Sequence, residues 1–96
     1  MVELKIVSQS KRQLKPIVEA ALENELRLVE AGIRQTALRL KKFEEQSHLN
    51  TQAFITAYEN DEWEETMESI EWIGEFRLME RLNEKAETLR NISFAS

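Results

Sequence analysis

The sequence predicts a mainly α fold: an antiparallel hairpin of two long helices, a short helix between them and a short strand at each end. Three features predict it. Apolar residues recur at steps of three and four through two long segments. The 96 residues hold only two Gly and one Pro, too few for the turns of a sheet protein. The charged share is 32% against 42% apolar, a balance suited to long amphipathic helices.

The chain opens with VELKIV, in which Val2, Leu4 and Ile6 alternate with Glu3 and Lys5. That period of two predicts a half-buried strand over 2–7. Ser10 and Gln13 have capping-box spacing, but Pro16 fits best in a first helical turn. A turn or frayed start is therefore expected at 10–14, and a regular helix over 14–46. Its main seam is Val18, Leu22, Leu26, Val29, Ile33, Leu40 and Phe43, with Thr36 filling the gap. A second line, Ile17, Ala21, Leu28 and Ala31, lies beside that seam and is read as widening it.

Asn50 has the character of an N-cap, and Leu49 and Phe54 have the spacing of a hydrophobic staple. They predict a short helix over 51–59, with Ala53, Phe54, Ala57 and Tyr58 inward and Asn60 ending it. Asp61 and Glu64 then resemble a second capping box opening a helix over 62–91. Ile92 and Phe94 alternate like a closing strand over 92–95.

Charge sets the orientation of the hairpin. The first long helix is acidic early (Glu19, Glu23, Glu25, Glu30) and basic late (Arg34, Arg39, Lys41, Lys42). The last helix is acidic from Asp61 to Glu75 and gains Arg77, Arg81, Lys85 and Arg90 afterwards. Laid antiparallel, the basic end of the first helix faces the acidic start of the last, whose later basic run is diluted by Glu80, Glu84 and Glu87, and each sign complements its own helix dipole. Exposed pairs contribute only tenths of a kcal/mol each, so charge selects orientation and apolar burial supplies stability.

On a helical wheel Met67, Ile70, Gly74 and Leu78 share one side of the last helix, continued by Leu82 and Leu89. That side is expected to press on the first long helix, with Gly74 at the closest approach. Trp72, Phe76 and Met79 fall opposite. With Glu64, Glu68, Glu71 and Glu75 on the flank, they form the expected partner-binding surface, because aromatic residues and Met anchor interfaces. Pairing two hairpins through it would give a homodimeric four-helix bundle. The competing reading is that the short middle helix or the terminal strands fold back over Trp72 and Phe76.

No constellation for catalysis emerges. The sole histidine, His48, falls in a predicted loop without Glu three residues before it, so the Glu-x-x-His pattern of di-iron bundles is missing. No nucleophile elbow or phosphate-binding Gly loop is present. No metal or other cofactor is expected, and the Glu cluster reads as a solvated acidic face. There is no cysteine, which fits a reducing cytoplasm. No signal peptide or membrane span is expected. The net charge of −5 repels phosphate backbones and argues against nucleic acid as a partner.

Over nearly the whole chain, the run LKPIVEAALENELRLVEAGIRQTALRLKKFEEQ, then TQAFITAYEN, then SIEWIGEFRLMERLNEKAETLRNI resembles small uncharacterised helical proteins of archaea and cyanobacteria. The most specific pieces are IEWIGEF and ERLNEKAETLRNI. Some members of that group are encoded beside a toxin-like partner, as in a type II toxin–antitoxin pair. The resemblance implies a partner-neutralising role and brings no site residues with it. The expected function is thus a non-enzymatic, cytoplasmic interaction module, the antitoxin-like half of a two-gene pair that occludes a basic protein encoded nearby. Two alternatives stand beside it: a DNA-binding autorepressor using the N-terminal strand, in the manner of ribbon–helix–helix repressors, and a structural homodimer.

Overall fold

The computed structural model describes residues 2–5 and 11–95. Helices α1 (Lys11–Ser47), α2 (Thr51–Glu59) and α3 (Met67–Arg90) make up nearly all of it. The 37 residues of α1 set the shape: at 1.5 Å each they span about 55 Å, and the molecule measures 59 × 22 × 18 Å. Helix α3 packs along α1 as a hairpin, with α2 across the turn. The backbone of Val2–Lys5 (β1) runs parallel to Ile92–Ala95 (β2), with Val2 opposite Ile92. A two-stranded ribbon of four residues is marginal by itself, so the fold class rests on the helices. Residues 6 and 7 of the expected first strand lie outside the described residues.

Helix α1 is already helical at Lys11, so Pro16 lies inside it and not in the first turn. Pro16 offers no N–H to the carbonyl four residues before it, a local loss that the long seam beyond it absorbs. At the other end, His48 takes a positive φ of 56°. The Leu49 N–H then reaches back to the Glu44 carbonyl at 3.3 Å, which is the closing bond of a Schellman motif. Asp61 repeats this after α2 with φ of 56°, while the Glu62 and Asp61 N–H groups donate to the Ala57 and Tyr58 carbonyls. Both helices thus end on a left-handed His or Asp where Gly is the usual choice.

That geometry corrects the expected start of the last helix. Asn60 is the C-cap of α2, as expected, and Asp61 makes the left-handed turn that follows it rather than opening α3. The opening falls to Thr66, whose hydroxyl accepts from the Ser69 N–H at 3.1 Å while the Thr66 N–H donates to Ser69 Oγ at 2.8 Å. This is a reciprocal capping box with Ser in the place of Glu or Gln. Helix α3 therefore begins at Met67, and 62–66 form a connection. Asn50 caps α2 through a 2.8 Å bond from the Ala53 N–H.

The charge argument has its counterpart in three cross-helix ion pairs: Arg39–Glu75 at 2.8 Å, Glu25–Lys85 at 2.7 Å and Glu30–Arg90 at 2.9 Å. All are at least partly exposed, so they bias register more than they stabilise. Burial is concentrated at the turn. Phe54, Ile55, Trp72 and Ile73 form the core there, with Leu40, Phe43, Leu49, Tyr58, Trp63 and Phe76 packed against them. Further along the hairpin only Val29, Thr36 and Ala86 are fully buried among the described residues.

At the start of α3 the two faces are the reverse of those the helical wheel suggested, whereas further along Leu82 does lie against α1 as expected, with Leu78 and Leu89 half-buried. Trp72 and Ile73 point into the core, while Met67 is 72% and Ile70 50% exposed. Gly74 faces outward, and a Cβ placed there would meet nothing within 4 Å. The close approach belongs to Gly32, whose added Cβ would stand 3.4 Å from Leu82 Cδ1. Helix α2 explains the reversal. It lays Phe54 against Trp72, and the indole offers more apolar area to bury than Met67 or Ile70. On α1 the second line does not widen the inner seam either, because Ile17 (65%) and Leu28 (61%) face solvent.

Candidate interaction surface

The expected anchor Trp72 is the centre of the core. Its ring lies between Phe54, at 3.9 Å between centroids and 7° between planes, and Phe43, at 5.6 Å and 10°. Trp63 closes the stack edge-on to both Phe54 and Trp72. The indole N–H donates to Thr51 Oγ1 at 3.0 Å, and the Thr51 N–H donates to Glu44 Oε2 at 2.7 Å. One hydrogen-bonded line thus ties α3 to α2 and α2 to α1. Trp72 is 1% exposed and has no face left for a partner. Phe76 packs against the margin of the same core, and Met79 is half-buried. The three-residue docking patch expected on α3 is therefore not assembled on the surface of this chain.

The expected carboxylates divide. Glu75 is held by Arg39, which also donates to the buried Thr36 hydroxyl at 3.2 Å. Glu64, Glu68 and Glu71 are exposed, and among the described residues no ion pair engages them. They flank two open clefts. One, of about 480 Å³, has Glu62, Trp63, Glu64 and Glu68 on its walls. The other, of about 610 Å³, runs past Lys42, Phe43, Glu68, Glu71 and the bare Gly74 backbone. Beside them, Tyr58 OH donates to Glu65 Oε1 at 3.2 Å. The Glu65 charge, foremost, raises the phenol's pKa by opposing a second negative charge.

Met67 and Ile70 are exposed in the first turn of α3 and immediately after it, with Glu71 and Glu68 on one flank. Sequence reasoning assigned both to the buried side. The signal that separates them is size: once one α3 face must close on α2, the indole is the side chain with most to gain from that place. Among the described residues no group of three or more His, Asp or Glu is placed to hold a metal. No helix among them is long and apolar enough to cross a membrane. Comparison with known proteins finds no matching family model, no similar curated protein and no similar solved structure.

Proposed function

We propose that this chain is a non-enzymatic protein-interaction module that docks a basic partner on the first turns of α3, in the manner of the antitoxin half of a two-gene pair. One observation carries the reading: Met67 and Ile70 are 72% and 50% exposed in the first turns of α3, with the exposed carboxylates Glu68 and Glu71 on one flank of the helix. Apolar anchors beside an acidic flank suit a docking site, in which the anchors supply affinity and the charge selects the sign of the partner. The aromatic core behind them holds the turn rigid, so the surface is preorganised and little ordering cost falls on binding. The outer edges of β1 and β2, which pair with no further strand among the described residues, offer strands that a partner's sheet could extend.

The test is co-expression with the product of the adjacent gene, followed by affinity measurement on the purified pair. Met67→Ser combined with Ile70→Ser is expected to weaken the complex by about tenfold or more. Each buried large apolar side chain is worth about 1.5–3 kcal/mol, and about 1.4 kcal/mol is a factor of ten. Both residues are exposed, so the helical content of the free chain should not change. A complex of undiminished affinity, or a neighbouring product that does not bind, would refute the reading.

A further inference from the structure

We propose that the outward face of α1 is a self-docking seam, which takes a second copy of this chain antiparallel to itself in one defined register. The inner seam of α1 is spent on α3. About a third of a turn away on the wheel, Ala21, Asn24, Leu28, Ala31, Gln35 and Leu38 follow one another at steps of three, four, three, four and three. That spacing is the a/d repeat of a coiled coil. Leu28 and Leu38 are 61% and 64% exposed, Ala21, Asn24 and Gln35 are exposed, and Ala31 is half-buried. Among the described residues Leu28 and Leu38 stay uncovered, at an a and a d position ten residues apart.

The occupant follows from the order of the side chains. In an antiparallel pair each a position meets a d position of the other helix. With the two-fold axis between Leu28 and Ala31, Leu28 meets Ala31 of the second copy, Asn24 meets Gln35, and Ala21 meets Leu38. Symmetry repeats each layer once. Every large side chain then lies against a small one, and the two amides face each other and can hydrogen-bond. One repeat beyond the seam, Ile17 comes opposite the aliphatic stem of Lys42. Moving the register by one heptad in one direction sets Leu28 against Asn24 and alanine against alanine. In the other direction Leu28 meets Leu38, but the amides are separated, with Gln35 against Ala31 and Asn24 against Lys42, and Ala21 falls opposite Glu45. A parallel pair would also stack alanine on alanine, at positions 21 and 31, and leave those layers hollow.

Charge points the same way. The acidic stretch Glu19–Glu30 of α1 and the basic stretch Arg34–Lys42 are opposed only when two copies run antiparallel. Arg27 does approach Arg34 of the second copy; Glu23 on the same flank offsets part of that contact, while Glu30 is already paired with Arg90. The paired amides fit a register device, since a polar layer inside a coiled coil fixes alignment at some cost in stability. This seam lies on α1 and the proposed partner site on the start of α3, so either can hold without the other.

The test uses the purified full chain alone. Sedimentation velocity across a dilution series should show a mass of two chains giving way to one. Leu28→Glu should yield one chain throughout, with unchanged helical circular dichroism and unchanged tryptophan emission. Because the chain has no cysteine, register can be read by disulfide trapping. Leu28→Cys chains mixed with Ala31→Cys chains should form the mixed disulfide, and Leu28→Cys chains alone should not link. A single chain at all concentrations, a Leu28→Glu variant that still dimerises, or self-linking of Leu28→Cys would each overturn the proposal. Should Leu28→Glu lose helicity, the trapping experiment decides alone.

Discussion

Replacing Trp72 by alanine is expected to destabilise the fold by about 3–5 kcal/mol, the range for emptying a large aromatic site in a core. Three contributions act together. The indole is 1% exposed, so nearly its whole surface returns to water when the chain unfolds. Its removal strips Phe54 and Phe43 of a stacking partner on one face each. It also leaves the buried Thr51 hydroxyl without the N–H that donates to it. Small domains hold only about 5–15 kcal/mol of stability, so the loss is a large fraction of the whole. Thermal denaturation followed by circular dichroism should show a midpoint lower by about 15 °C or more. Trp72→Phe keeps much of the stack and should cost less. A midpoint unmoved by Trp72→Ala would mean that the ring is not inside the chain.

Phe54→Ala should produce a loss of similar size, about 3–5 kcal/mol. Phe54 is fully buried and touches three rings: Trp72, Trp63 at 5.1 Å and Tyr58 at 6.0 Å between centroids. It is also the residue by which α2 grips α3, so α2 should loosen first. Trp72 and Phe54 share one contact, and each single substitution already destroys it. The double variant is therefore expected to lose less than the sum of the singles, by about 0.5–3 kcal/mol. Denaturant titration of the four proteins gives that coupling directly. Additive losses would place the two rings in separate environments and contradict the stack.

The hairpin was legible in the sequence because it is written redundantly. The seam from Val18 to Phe43 and the opposed charge runs lead to one arrangement, and Glu25–Lys85 and Arg39–Glu75 are its contacts. Asn50 was legible as a cap because its signal is local. The opening of α3 was not, because Asp61–Glu64 and Thr66–Ser69 have the same spacing, and only the left-handed turn at Asp61 decides between them. The face of α3 was hardest to read. Apolar residues stand on two sides of it, so periodicity supports either orientation equally. The deciding contact comes from Phe54, on a different helix. Placing Gly74 at the helix crossing followed from the same ambiguity, and Gly32 against Leu82 holds that place. The outer row of α1 was visible as a second apolar line. Its outward direction became evident only once α3 was seen to occupy the inner seam alone.

The orientation of α3 bears on every surface described above, and quenching of tryptophan fluorescence addresses it most directly. In a Trp63→Phe chain, diluted until sedimentation shows a single protomer, the only emitter is Trp72. The account predicts blue-shifted emission that acrylamide scarcely quenches, rising to full accessibility in denaturant. Emission of an exposed indole, quenched as readily in the folded protomer as in the unfolded chain, would contradict it.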